Sequence, residues 1–130
     1  MNINRLLVGF LVLLLVAPCV MAKPNNEKAV ASFNSTYIST VTDGYLFQFN
    51  DTSTGDHINN WLWKVTSINQ TTFVRDPITF KAISYDAIPG TMKVFSHNQN
   101  PTYIFPANEY YLVELKITNG GKNNSYAVIM

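Results

Sequence analysis

The sequence predicts an all-β protein built as an antiparallel β-sandwich. The clearest evidence is a strict alternation of side chains that starts at Tyr110. Because the side chains of a strand point to opposite faces with a period of two, this run has one buried and one exposed face. It ends at Asn119-Gly120-Gly121, residues that tolerate positive φ and favour a hairpin turn. The apolar members of the alternation are Tyr111, Val113, Leu115 and Ile117, and the polar members are Glu114, Lys116 and Thr118.

Short strand-like runs fill most of the chain. Aromatic and β-branched residues dominate these runs, and helical periodicity never lasts longer than a turn or two. Many short strands in about 100 residues are typical of an antiparallel sandwich. Turn residues occur at Asp43-Gly44, Thr54-Gly55-Asp56, Pro89-Gly90 and Asn119-Gly120. The predicted strands are 30–34, 45–50, 61–66, 71–74, 78–84, 92–96, 102–105, 110–118 and 125–129.

Residues 1–22 have the layout of a secretory signal peptide. Arg5 supplies a positive start, and residues 6–16 form an apolar run of 11 residues. This run is shorter than the ~20 residues that a comfortable membrane span needs. Val20-Met21-Ala22 fits a signal-peptidase site, so we expect cleavage after Ala22. The alternative is an anchor that is retained at the N-terminus.

After cleavage, a short polar lead at 23–28 would precede one domain at 29–130. The only cysteine, Cys19, lies in the expected signal peptide, so the mature chain would have no disulfide and no cysteine ligand. Without Arg5, the basic and acidic residues number eight each. A near-zero charge provides no basic stripe for nucleic acid. We therefore expect no nucleic-acid partner and no membrane insertion after signal cleavage.

Three motifs carry a resemblance to a known family. They are the strand-turn FQFNDTSTG at 47–55, the sequence Trp61-Leu62-Trp63, and NPTY at 100–103, which leads into the alternating strand 110–119. In this order they resemble the polycystic kidney disease (PKD) domain, whose pattern runs F-x-D-x-S-x-G, W-D-F-G-D-G, N-P-x-H-x-Y and G-x-Y-x-V-x-L-x-V-x-N. The resemblance covers roughly residues 41–125 and implies an immunoglobulin-like β-sandwich of the kind common in surface and secreted proteins.

The chain departs from this family pattern at two places. The acidic, glycine-rich W-D-F-G-D-G is replaced by WKVTS at 63–67, and about 20 additional residues follow, with an insertion near 69–85. We expect this insertion to form an added hairpin at a sheet edge. The family's histidine position falls on Tyr103 or Ile104. Because the loop that is most acidic in the family is not acidic here, the resemblance alone does not imply a calcium site.

The inward-facing positions of the expected strands define a predicted core. Burying one large apolar side chain is worth about 1.5–3 kcal/mol. We expect the loss of Trp63 alone to unfold the mature protein. The predicted core residues are Phe47, Phe49, Trp63, Val65, Tyr111, Val113, Leu115 and Ile117.

The sequence contains few residues in patterns that indicate catalysis. His57 and His97 lie in polar loops without a carboxylate at a diagnostic spacing, and no serine lies in a nucleophile-elbow pattern. Asp51, Asp56 and Asp86 are single carboxylates among turn residues, where aspartate forms local hydrogen bonds. We expect no enzymatic activity and no cofactor, and calcium at Asp51 or Asp56 stays open.

We expect contact with a partner to be the function. The resemblance implies a secreted or cell-surface module for adhesion, spacing or assembly, which binds an extracellular or cell-surface protein. The expected contact surface is the insertion edge, including Phe73, Val74, Ile78 and Phe80, where unpaired strand edges also allow self-association. The alternative is a carbohydrate-binding module that stacks a polysaccharide on exposed rings. Trp61 and Tyr110 are its main candidates, with Tyr37, Tyr45, Tyr85 and Tyr103 as further rings.

Overall fold

Nine strands and no helix make up the part of the chain that the computed structural model describes, residues 29–130. The expected signal peptide and polar lead lie outside these residues. The described residues contain no helix long and apolar enough to cross a membrane. The strands are β1 (Phe33–Val41), β2 (Gly44–Asp51), β3 (Ile58–Ser67), β4 (Val74–Arg75), β5 (Ala82–Ser84), β6 (Lys93–Ser96), β7 (Thr102–Phe105), β8 (Tyr111–Asn119) and β9 (Lys122–Ile129).

The strands form two main sheets and one small one. The order is β9-β8-β3-β6 in the four-stranded sheet and β1-β2-β7 in the three-stranded sheet, while β4 and β5 pair only with each other. Every strand pair is antiparallel. The all-β, antiparallel fold predicted from the sequence is therefore confirmed.

Aromatic side chains fill the space between the two main sheets. Trp63 of β3 is fully buried and lies 5.0 Å from the ring of Phe33 and 5.5 Å from that of Phe49, measured between centroids. Phe105 of β7 contacts Tyr111 of β8 at 4.8 Å. These contacts cross from one sheet to the other, so the sheets share one core, as in a β-sandwich.

Of the eight residues expected to face inward, the structure buries seven and half-buries Phe47, which packs at the rim of the core. Phe47 lies between Tyr37 of β1 and Phe105 of β7. The same core includes residues that the sequence pattern did not single out. These are Ala29, Ala31, Phe33 and Phe105.

The first strand differs from its predicted position. The sequence indicated a strand at 30–34, whereas β1 runs from Phe33 to Val41 and Val30 makes only an isolated bridge to Thr54. Polar residues dominate β1, and its register shifts between Tyr37 and Ser39. It is an edge strand with little apolar alternation, so the period-two pattern could not reveal it.

Candidate interaction surface

A hairpin leaves the four-stranded sheet between β3 and β6, and residues 69–87 are called the arm here. At its base, Ile68 is buried and forms a bridge to Ala87. The N–H of Asn69 donates to the carbonyl of Asp86 at 2.9 Å. The arm is therefore anchored at both ends where β3 stops.

The arm differs from the added edge hairpin that the sequence predicted. The expected strands 71–74 and 78–84 shrink to β4 and β5, two and three residues long. Neither strand joins a main sheet. Turns take up the rest, because the side chain of Asn69 accepts hydrogen bonds from Thr71 and that of Asp76 accepts them from Ile78 and Thr79.

Asp76 closes the tip of the arm. Its Oδ1 accepts the N–H groups of Ile78 at 2.8 Å and Thr79 at 3.1 Å, and these hydrogen bonds hold the pKa of Asp76 below its ordinary value. Its backbone N–H donates to Lys81, and its carbonyl accepts from Phe80, both at 2.8 Å. In this turn Phe80 has a φ of 61°, a left-handed conformation that bulky residues rarely adopt.

Phe80 is displayed to solvent at the end of this turn. It is 68% exposed, so little burial offsets the ~1–3 kcal/mol that such a backbone conformation costs. Ile78 and Ile83 are 84% and 62% exposed. Of the 13 large exposed apolar side chains in residues 29–130, six lie between Val74 and Ile88. Concentrated apolar exposure of this kind marks interaction surfaces.

Contacts between aromatic rings hold one side of the arm against the sandwich. The ring of Phe73 lies 4.3 Å from that of Tyr110, with an interplanar angle of 31°. The guanidinium of Arg75 lies 5.1 Å from the Phe73 centroid and 5.7 Å from the Tyr110 centroid. Tyr110, a main candidate from the sequence for an exposed sugar-stacking ring, is half-buried, because the arm folds back and covers one of its faces.

A groove of about 450 Å³ separates the arm from β8 and β9. Residues of the arm form one wall, and the sheet forms the other. The arm contributes Phe73, Arg75, Phe80, Lys81, Ala82 and Tyr85. The sheet contributes Leu112 of β8 together with Tyr126, Ala127, Val128 and Ile129 of β9.

The groove is apolar with a positive bias. Arg75 and Lys81 are its two charged lining residues, and no carboxylate lines it. Within residues 29–130 the only ion pair joins Lys64 and Glu114 at 3.8 Å, so neither groove cation is neutralised by a carboxylate there. The groove therefore favours an apolar ligand that also carries an acidic group.

Of the predicted contact residues, Phe73 and Phe80 line the groove, Tyr110 packs against Phe73, and Val74 lies on the arm. Trp61 lies elsewhere. It is six residues from the end of β3, about 20 Å along the strand. Its ring packs against the core, and its Nε1 donates to Asp51 Oδ2 at 2.8 Å.

Asp51 organises the loops around Trp61. Besides Trp61, its carboxylate accepts the N–H of Ser53 at 2.9 Å and the amide of Gln99 at 3.1 Å. Burial raises the pKa of Asp51, but the hydrogen bonds from Ser53, Trp61 and Gln99 outweigh this and leave the pKa below its ordinary value.

Residues 29–130 contain no group of three or more His, Cys, Asp or Glu side chains placed to hold a metal ion.

Sequence reasoning missed the sheet wall of the groove. Ala127 and Ile129 are far from the arm in sequence and meet it only through the pairing of β9 with β8. The turn at the tip was also missed: the sequence named Phe80 for contact but placed it in a strand at 78–84, since phenylalanine is not a turn-forming residue. The only local indication was Asp76-Pro77, a turn-forming pair that precedes the tip.

Comparison of the chain with protein-family models, curated protein sequences and solved structures finds no match.

Proposed function

We propose that this protein is a secreted, non-enzymatic PKD-like module that mediates adhesion, spacing or assembly at the cell surface or extracellular matrix through protein–protein contact. The observation that carries the proposal is the display of Phe80 at the tip of the arm. A large apolar side chain in a strained backbone conformation, exposed to water, contributes little to stability. We therefore assign the exposed Phe80 ring to contact with another molecule.

The strand order supports the immunoglobulin-like part of the proposal. Without the arm, seven strands divide into a sheet of the first, second and fifth and a sheet of the third, fourth, sixth and seventh. Immunoglobulin-like sandwiches carry a buried tryptophan on their third strand, as Trp63 is on β3. They also carry a tyrosine that begins the strand after the corner and bonds back to the backbone. Here Tyr111 donates from its hydroxyl to the carbonyl of Ala107 at 3.1 Å.

The proposed contact surface is tested by attachment to the extracellular surface of the source cells. Phe80→Asn removes the displayed ring while asparagine tolerates the left-handed turn. We expect it to lower attachment at least about tenfold without a change of fold. Met92→Asn, at another exposed apolar side chain outside the arm, is the control and should attach normally. Equal attachment of Phe80→Asn and the parent protein would remove the arm from the proposal.

The alternative function, carbohydrate binding, requires exposed aromatic rings. A sugar platform needs an open ring face, but one face of Tyr110 is covered by Phe73, and Trp61 packs against the core. We therefore expect no retention on insoluble polysaccharides that depends on these two rings. Retention that is lost in Tyr110→Ala or Trp61→Ala would favour the carbohydrate-binding module instead.

A further inference from the structure

We propose that the protein binds its partner by strand addition, taking an extended segment with alternating apolar residues and an acidic group along the free edge of β9. The inference rests on the proposed contact function and names the class of partner. The groove supplies room for side chains, and the edge of β9 supplies backbone hydrogen bonds. Strand-addition sites combine these two features.

The register of β9 identifies which backbone groups are free. Tyr111 and Met130 exchange both of their backbone hydrogen bonds, at 3.2 and 2.9 Å. In an antiparallel ladder such pairs alternate with pairs that direct their groups outward. Because β8 and β9 pair without a register shift, the outward groups belong to Asn123, Ser125, Ala127 and Ile129. In residues 29–130 no strand pairs with this edge.

The four edges of the main sheets are not equally protected against strand addition. Edge strands β6 and β7 have only four residues each; β6 carries Lys93 and pairs with a register shift, and Pro101 and Pro106 flank β7. The longer β1 also has a register shift. In contrast, β9 has eight residues, pairs without a shift, lacks proline and carries only Lys122, at its start. Short length, charge, proline and bulges are the usual defences of an edge, and β9 has few of them.

The side chains of an added strand would alternate between two environments. Those on the outer face would enter the groove, since Ala127 and Ile129 lie on that face with Leu112 and all three line it. There they would meet Phe80 and the cations of the arm. Apolar residues on this face, with one carboxylate near Arg75 and Lys81, fit the groove.

The charges of β9 and of the groove disfavour a second copy of the chain as the occupant. Pairing of β9 with β9 of another copy in antiparallel orientation would bring Lys122 of each copy toward the Ile129 end of the other. The groove there already holds two cations and no carboxylate. Like charges brought together in a binding site oppose association, so the occupant is an acidic strand of another protein.

A synthetic peptide tests the inference on protein exported from cells that express the full 130-residue chain. The probe is an octapeptide of alternating valine and threonine in which one valine is replaced by glutamate, and anisotropy of a fluorescent label reports binding. We expect the lysine analogue to bind about tenfold more weakly. Methylation of the peptide's backbone amides at every second residue, the set that faces β9, should abolish binding. Methylation of the other set, which faces away from β9, should leave binding intact. Equal effects of both methylated sets would overturn strand addition.

Variants of the protein give an independent readout. Ala127→Pro removes one edge N–H but no hydrogen bond to β8, so we expect at least about a tenfold loss of peptide affinity with an unchanged melting temperature. Ala127→Ser keeps the N–H and should bind normally. Arg75→Gln should reduce the preference for glutamate over lysine. Unaltered peptide binding by Ala127→Pro would overturn the proposal.

Two outcomes distinguish the proposals from each other. If no peptide binds but Phe80→Asn still loses attachment to cells, strand addition is wrong and the contact function stands. If Phe80→Asn also attaches normally, strand addition is wrong and the arm is removed from the contact function as well. A dimer in sedimentation that disappears in Ala127→Pro would identify a second copy as the occupant, which contradicts the acidic partner.

Discussion

Trp63 is the residue on which the sandwich most depends. Its ring is fully buried between Phe33, Phe49 and Phe95, and its Nε1 donates to the carbonyl of Asn98 at 2.8 Å. Truncation to alanine leaves a cavity and an unpaired carbonyl. Large aromatic truncations in a core cost about 3–5 kcal/mol, against a total stability of about 5–15 kcal/mol.

We therefore expect Trp63→Ala to lower the free energy of unfolding by about 3–5 kcal/mol in urea unfolding, enough to unfold a protein at the lower end of that stability range. Trp61→Ala is the matched control, because the Trp61 ring is only partly buried and should cost clearly less. A Trp63→Ala protein that melts within a few degrees of the parent would contradict the assignment of Trp63 to the core.

Unlike Trp63, Phe80 contributes little to stability, because its backbone conformation costs energy and its ring is exposed. Asparagine adopts left-handed φ more readily than phenylalanine. We expect Phe80→Asn to melt at or slightly above the parent temperature in calorimetry. A clear drop in melting temperature would indicate that the ring supports the fold and is not merely displayed.

Asp51 links stability to pH. Its folded pKa lies below the ordinary value of 3.8. The carboxylate therefore contributes stability that is present above that value and lost as the pH falls through the folded pKa. We expect the urea midpoint to fall as the pH drops below about 4, and to fall less in Asp51→Asn. An unchanged acid slope in Asp51→Asn would refute this role.

At the scale of elements, the turn between β1 and β2 requires glycine. Gly44 has a φ of 144°, and an added Cβ would lie 2.0 Å from the carbonyl oxygen of Phe105 at the end of β7. Backbone cannot yield as a flexible side chain can. We expect Gly44→Ala to destabilise the protein by about 1–3 kcal/mol or more in chemical unfolding.

Gly120 provides the control for this prediction. It also has a positive φ, but nothing lies within 4 Å of its Cβ position. Asparagine is tolerated in that conformation, so Gly120→Asn should change stability little. If Gly44→Ala were as mild as Gly120→Asn, the close approach of β2 to β7 would be wrong.

The sequence predicted elements well where one face is buried and poorly where neither is. The alternation of β8 and the aromatic residues of β2 and β3 face a shared core, so their pattern is local and readable. In contrast, β1 is largely polar, and the arm strands β4 and β5 are exposed. Their positions depend on turn hydrogen bonds, such as those of Asp76, and on tertiary contacts, such as that of Phe73 with Tyr110.

At the scale of the whole molecule, the core and the proposed contact surface are largely separate, with Val128 belonging to both. The core lies between the two main sheets, whereas the proposed contact surface lies on the arm and along β9. The sequence named Phe73, Val74 and Phe80 for that surface. It could not predict the groove, because the groove exists only where an insertion after β3 folds over a strand some 40 residues later in the chain.

The most direct test removes the arm. Ile68 and Ala87 are cross-strand partners, so Asn-Gly in place of residues 69–86 would close a short hairpin between them. The measurement is attachment of this armless chain to the cell surface, with a thermal melt to verify folding. We expect a cooperative melt and no attachment. An armless chain that folds and attaches like the parent would contradict the claim that the arm makes the contact.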